Sequence, residues 1–263
     1  MMYECIYVPS RGRAQKLTTP YVLPFALEHR IVVVVRYDEL HEYANAAKED
    51  RQFEFLALPK NFKGGLSETR QWILEQSNDR YLIMLDDDIT GINIKKDLSA
   101  YGTIVKSDPN EFIKCFAQLR RWMDDGFAHV SFADRFIAAR PSKLPYYENG
   151  RIAQTLFYNR DVLVKHRIRF DRVALMQDLD VNLQLLGLGY RNRVSVKYSF
   201  NSRWYGQPGG CSAYRTSELH DKVARKMEKL HPGITKLIPK PKGGGMTMRT
   251  SWTKAFGYQQ EIS

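Results

Sequence analysis

Three consecutive carboxylates, Asp86-Asp87-Asp88, close the apolar run Tyr81-Leu-Ile-Met-Leu85. Adjacent like charges repel unless a cation offsets them. In an extended segment side chains alternate, so Asp86 and Asp88 point one way and Asp87 the other. Two hard-oxygen ligands on one side suit Mg2+ or Mn2+, and such an ion can neutralise a diphosphate. The competing reading is a surface turn with capping aspartates. A second acidic pair, Asp178 and Asp180, lies in VALMQDLDVNLQLLGLG. Asp178 precedes or opens a helix, which capping alone would explain. Two acids among Val, Leu and Met also suit a general base that aligns an acceptor. Basic groups gather near the turns: Arg11 and Arg13 follow Pro9, Lys63 precedes Gly64-Gly65, and Arg70 lies one turn into the next helix. Arg grips phosphate bidentately and Lys acts as a point charge. His220 and His231 are candidates for a third metal ligand, although each also reads as a plain surface residue. GGLSET lacks the GK[ST] end of a P-loop, and no HExxH, GxSxG or GxGxxG is present.

Such groups need a scaffold that brings them together. Residues 3–9, 31–36, 53–59 and 81–88 read as strands, with helices over 38–50 and 66–77 between them. The continuous apolar run at 31–35 is that of a strand buried on both faces. This alternation argues for an α/β fold with a mostly parallel central sheet and a Rossmann-like N-terminal half. Ligands bind such sheets beyond the carboxyl ends of the strands, where the triple Asp, the PSRGR turn and the 63–70 segment all fall. Further on, Asp108 or Asn110 opens a helix that ends at Gly126. Strands over 127–136 and 152–159 flank a loop with two prolines. A short helix and turn, a helix near 178–187 and a last clear strand over 194–204 follow. A basic helix then stops at Pro232. The segment 239–249, PKPKGGGMTMR, has no core-forming pattern and is expected to be mobile, or ordered only when something binds. No internal repeat is present.

The 263 residues are 43% hydrophobic, too apolar for a disordered chain. No apolar run approaches the length of a membrane span, and MMYECIYVPSRGR lacks the apolar core of a signal peptide. Cys5, Cys115 and Cys211 are far apart and odd in number, which opposes a disulfide scaffold or a Cys-rich zinc site. A reducing, cytoplasmic setting is expected. The net charge of +11 is uneven: residues 1–190 hold 26 Lys and Arg against 25 Asp and Glu, and residues 191–263 hold 14 against 4. Such a field attracts a polyanion and steers its approach. Lys222, Arg225, Lys226 and Lys229 share one helical face. With Lys240 and Lys242 they are the expected contacts to nucleic-acid phosphates; a solvated face is the alternative.

These blocks resemble the GT-A type of nucleotide-sugar glycosyltransferase. The opening strand with PSRGR resembles its start, GGLSETRQWIL with YLIMLDDD resembles the stretch leading to its DxD motif, and MQDLDVNLQLLGLGYR resembles its later acidic motif. The resemblance covers roughly residues 5–190. It implies one α/β domain that binds a nucleoside diphosphate sugar, here a UDP-sugar, with Mn2+ or Mg2+. By position, Asp86 would sit near the ribose or sugar and Asp88 would bind the metal. Arg70 would lie by the nucleotide, and Asp178 would match the catalytic base. Gln177 stands where the family usually has Glu, so the identity of the base and the stereochemical outcome stay open. Asp86 and His220 would complete the metal site, with Pro9, Arg11, Arg13, Lys63 and Asp87 on the donor. Within the superfamily the chain is similar to the phage group associated with TET/JBP-type oxygenases, thought to glycosylate hydroxymethylated pyrimidines in DNA. In that frame residues 1–190 are the catalytic body, and 191–263 are a basic extension completing the same domain. Three other functions compete: a glycosyltransferase for a cell-surface glycan or lipid-linked acceptor, a nucleotidyltransferase making a nucleotide sugar, and a non-catalytic DNA-binding protein.

Overall fold

The structure is a computed structural model and describes residues 4–24, 29–203, 210, 214–240 and 245–258. Strands form where β-branched and aromatic runs allow burial on a sheet: β1 Cys5–Pro9, β2 Arg30–Val35, β3 Glu54–Ala57, β4 Tyr81–Leu85, β5 Ile89–Lys95, β6 Ile104–Lys106, β7 His129–Asp134, β8 Tyr146–Glu148, β9 Thr155–Asn159, β10 Asn192–Ser202, β11 Thr235–Pro239 and β12 Met246–Thr250. The helices are α1 Thr19–Val22, α2 Leu40–Ala46, α3 Leu66–Gln76, α4 Pro109–Asp124, α5 Arg135–Ala138, α6 Arg160–Lys165, α7 Gln177–Gly187, α8 Ser217–Leu230 and α9 Trp252–Ala255.

The large sheet runs β3-β2-β1-β4-β9-β7-β10-β5-β6, with β8 paired to β10. β1 to β4, β6, β7 and β10 point one way, and β5, β8 and β9 point the other. The sheet is thus mixed but mostly parallel, as the alternation predicts. β2 is buried on both faces: Ile31, Val33 and Val35 join one core, and Val32 and Val34 join the other. The first core packs beneath α4 through Phe112, Phe116, Leu119 and Trp122. The second lies under α3, α6 and α7 through Ile73, Leu74, Leu163, Val181 and Leu185. A third joins Leu183 and Leu186 of α7 to Val223 and Met227 of α8. Among the described residues, no helix is long and apolar enough to cross a membrane.

Several elements differ from the sequence reading. The acidic strand stops at Leu85, and the three carboxylates form a turn. Residues 89–106, which carry no clear periodicity, supply β5 and β6. The polar Asn93 inside β5 is 3% exposed and accepts a hydrogen bond from Asn201 Nδ2 of β10 at 2.8 Å. The helix expected over 38–50 is regular only over Leu40–Ala46, after a 3-10 turn at Tyr37–Glu39. Asp108, not Asn110, caps α4: its Oδ1 accepts from Glu111 N at 2.9 Å. The basic glycine-rich stretch is not patternless, because Met246–Thr250 pairs antiparallel with Thr235–Pro239. Backbone hydrogen bonding carries that hairpin without an apolar alternation to announce it.

Candidate active site

β1 and β4 are parallel neighbours, with Ile6 beside Ile83 and Tyr7 beside Met84. Their carboxyl ends therefore place Pro9, Ser10, Arg11 and Arg13 against Asp86, Asp87 and Asp88. A cleft of about 560 Å³ opens at this edge. Pro9, Arg11, Arg13, Arg70, the three aspartates, Asp178 and His220 all line it. Residues from opposite ends of the chain thus converge on one place.

The acidic turn does not follow strand alternation. Arg13 Nη1 lies 2.5 Å from Asp87 Oδ1 and 3.2 Å from Asp88 Oδ2, so Asp87 and Asp88 share one cation. Asp87 also accepts from Ser10 Oγ, and Ser10 Oγ lies 2.7 Å from Tyr43 Oη. Asp87 is 5% exposed, and its carboxylate anchors the turn to the segment after β1. Asp86 pairs instead with Arg70, which is almost fully buried. Arg13 and Arg70, both expected on the donor, hold carboxylates here. Burial pushes the Asp86 carboxyl up to about 7 against the opposing pull of Arg70, and the charges of Asp88 and Asp178 push the same way. Burial also raises Asp88, helped by Asp87 and opposed by Arg13.

Asp178 stands in the first turn of α7 and lines the cleft. The preceding Met176 has φ 63°, a left-handed conformation that costs a non-glycine residue roughly 1 kcal/mol or more. That turn aims the start of α7 into the cleft. Asp180, the other expected acid, does not line the cleft. It is fully buried, with Oδ1 2.7 Å from His231 Nε2 and Oδ2 accepting from Gln184 Nε2 at 2.9 Å. Arg172 Nε lies 3.3 Å away. His231 in turn meets Tyr258 Oη at 2.6 Å through Nδ1. Asp180 and His231 thus tie α7 to the C-terminal segment, and neither lines the cleft. Lys63 is exposed and outside the cleft lining, beside Gly64 and Gly65, which belong to it.

Among the described residues, no three His, Cys, Asp or Glu side chains already form a ligand cluster. The donor chemistry nonetheless fits a hard divalent ion. Asp88 Oδ1 is buried with no hydrogen-bond partner among the described residues, a costly state for a carboxylate oxygen. Asp86 and His220 line the same cleft. Lys222, Arg225, Lys226 and Lys229 lie on α8, with Val223, Ala224 and Met227 buried on its other side. Lys240 is half-buried after β11, and Lys242 lies outside the described residues.

The sequence reading omitted several cleft residues: Asp134 at the end of β7, Gln154, Arg151, Arg203, Tyr214 and Thr247. β7 and β4 run in the same direction, so an acid at the end of the apolar run HVSFA was the available signal for Asp134. Tyr214 and Thr247 had none, since they arrive from segments without periodicity.

Comparison with known proteins identifies the family and the fold. The chain is 21% identical over 229 residues to the beta-glucosyl-HMC-alpha-glucosyl-transferase of Enterobacteria phage T6, covering 86% of this chain and 80% of that one. The protein of the same description from Enterobacteria phage T2 is 22% identical over 212 residues, covering 79% and 75%. In fold, the chain is similar to the mannosyltransferase PcManGT of Pyrobaculum calidifontis, solved with GDP-Man and Mn2+: TM-score 0.50, 13% identity, 73% of this chain and 56% of that one. The architecture is that of the GT-A glycosyltransferases. The profile of the TET-associated glycosyltransferases matches residues 5–203, from β1 through the whole of β10. The chain is accordingly a glycosyltransferase and belongs to the TET-associated glycosyltransferase family.

Proposed function

We propose that the protein transfers a sugar from a UDP-sugar to a hydroxyl on a hydroxymethylated pyrimidine in DNA, with Mn2+ or Mg2+ bound. The observation that carries this reading is the meeting of Asp88, with its orphaned buried oxygen, and Asp178 in one cleft at the carboxyl edge of the sheet. The similarity to phage proteins named beta-glucosyl-HMC-alpha-glucosyl-transferase supports a hydroxymethylated pyrimidine as the acceptor.

Asp88 and Asp86, with His220, would hold the ion. Bound there, it would supply positive charge to the leaving diphosphate. Arg11 lines the cleft after β1 and forms no ion pair among the described residues, so it is placed to add to that charge. Arg13 keeps Asp87 and Asp88 from repelling each other and so keeps the turn assembled. Arg70 fixes the orientation of Asp86. Asp178 aligns the acceptor hydroxyl and takes its proton as the oxygen bonds to the anomeric carbon and the bond to the diphosphate breaks. In this reading residues 1–190 form the catalytic body. Residues 191–263 complete the same domain and carry the polyanion surface, with Lys222, Arg225, Lys226 and Lys229 together on α8 and Lys240 and Lys242 beyond them.

The test is a transfer assay with UDP-sugars and Mn2+ on duplex DNA containing 5-hydroxymethylcytosine, run beside a glycan acceptor. A companion measurement follows duplex affinity at several salt concentrations. Transfer to the DNA is expected. Changing the four α8 cations to Gln should weaken binding of modified and unmodified duplex alike. It should also flatten the slope of log affinity against log salt, by about 0.9 for each phosphate that the variant no longer neutralises. Transfer to the glycan alone would replace the acceptor and leave the nucleotide site unaffected. Equal duplex affinity for parent and variant would remove α8 from the DNA surface.

A further inference from the structure

The segment after β7 presents an aromatic side chain to water on a tightly held backbone. Phe136, in α5, lines the mouth of the cleft and is 75% exposed. Its turn is fixed from several sides. Asp134 Oδ1 accepts from Ile137 N at 2.9 Å. Lys95 Nζ donates to the carbonyl oxygens of Ala138 and Arg140 at 2.9 and 2.5 Å. Gly102 N donates to Ala139 O at 2.8 Å, and Ser142 N to Leu98 O at 2.7 Å. Lys95 is itself buried within β5, and a buried ammonium is costly unless hydrogen-bonded. The Lys95 ammonium, little exposed at the end of β5, thus holds this turn. The loop joined to it through Gly102 carries Tyr101, 76% exposed. Arg135, Arg140 and Lys143, in the same segment as Phe136, are exposed and form no ion pair among the described residues.

A rigid lip with aromatic rings and uncompensated cations fits a partner with flat apolar faces and a charged backbone. Nucleic acid has both. The 5-substituent of a stacked pyrimidine projects only into the major groove. Reaction requires the acceptor oxygen within about 3.5 Å of the donor carbon, inside the cleft near Asp178. Enzymes that work on a base commonly extrude it from the stack, and proteins that unstack base steps insert apolar side chains there.

We propose that this lip opens the duplex. Phe136 stacks on the bases uncovered when the modified nucleotide swings into the cleft, and Arg135, Arg140 and Lys143 hold the flanking phosphates. The proposal rests on the DNA reading of the acceptor given above, and it adds a second contact surface across the cleft mouth, distinct from α8.

The experiment uses the full chain, UDP-glucose and Mn2+. The acceptor is an oligonucleotide containing 5-hydroxymethylcytosine with 2-aminopurine as its neighbour, offered as duplex and as single strand. Binding of the parent protein to the duplex should change 2-aminopurine fluorescence, as the modified base leaves the stack and Phe136 replaces it, and Phe136→Ala should alter that change. The ratio of transfer rates, duplex over single strand, should fall about ten-fold in Phe136→Ala, within the range that stacking one base on an aromatic ring contributes. Phe136→Trp should keep the ratio. An unchanged ratio in Phe136→Ala, including an equal loss on both acceptors, overturns the lip as the duplex-opening element and leaves the DNA reading in place. Absence of parent transfer to both acceptors with every UDP-sugar tried, and with 5-hydroxymethyluracil as well as 5-hydroxymethylcytosine, overturns the DNA reading itself, and the lip with it.

Discussion

Two acidic segments, 86–88 and 178–180, look alike as sequence and behave differently in the fold. Each follows apolar residues and each offers two carboxylates two positions apart. In the first, the carboxylates leave β4 on a turn, and all three line the cleft. They are kept together by two guanidinium groups, Arg70 on Asp86 and Arg13 on Asp87 and Asp88. In the second, the residues lie in the first turn of α7, where two positions correspond to about 200° of rotation. Asp178 therefore faces the cleft, and Asp180 faces the interior, against His231 and Gln184. The same spacing collects charge at a sheet edge and separates it on a helix. Secondary structure decides whether an acidic pair is one site or two unrelated roles.

The largest effect that tests this separation is expected at Asp178. Asp178→Asn should lower transfer about 10²- to 10⁴-fold, the usual contribution of a positioned general base. Binding of the UDP-sugar, measured by calorimetry with Mn2+, should survive. If Asp180→Asn is the variant that loses transfer while remaining as stable as the parent, the rotational argument fails and the acid is two residues further on.

Asp180→Asn should instead act on stability. Removing one partner of a buried ion pair typically costs about 3 kcal/mol or more, because Arg172 loses its counter-charge and the hydrogen-bonded contact to His231 is disturbed. Urea denaturation of both proteins measures the difference, and transfer per folded molecule should stay within a few-fold of the parent. A midpoint equal to that of the parent would show that the Asp180–His231–Tyr258 chain does not hold α7 to the C-terminal segment.

This contrast also marks what could be read from the sequence. β1, β2 and β4 were legible because their apolar runs are continuous, and a strand buried on both faces needs little else. The triple Asp was legible as a cleft-lining group because three carboxylates at the end of a buried strand must face a cation or an open edge. The pairing within it was not legible: alternation holds only while the chain stays extended, and the strand ends at Leu85 with a turn at Asp87 and Asp88. The roles of Asp178 and Asp180 needed the facing of α7, whose surroundings are buried on most sides; Gln177, Asn182 and Gln184 are as hidden as Val181 and Leu185. Polar groups that satisfy one another inside the fold erase the periodicity a sequence reading depends on. The same cause hid β5, with its buried Asn93 and Lys95, while the β11–β12 hairpin hid behind glycines and prolines.

The smallest effect concerns protons on the first segment. With no metal bound, the Asp86 carboxyl titrates near 7 in the folded protein, against 3.8 for an unperturbed carboxyl. A folded pKa raised above the unfolded one means that the folded state binds the proton more readily. The resulting stabilisation is complete below pH 3.8 and is lost as pH rises through about 7. From pH 8 to pH 6 the metal-free parent should therefore gain about 1 kcal/mol from this group. Asp86→Asn has no proton to exchange, so its stability should lack this gain when the two curves are subtracted. Groups that do not interact with Asp86 titrate alike in both proteins and cancel in the difference. Chemical denaturation in the presence of a chelator, at half-unit steps of pH, makes the measurement. Parallel curves would mean that Arg70 outweighs burial and keeps Asp86 ionised throughout. The acidic turn would then be a salt-bridged anchor like Asp180, and the contrast between the two segments would narrow to the single residue Asp178.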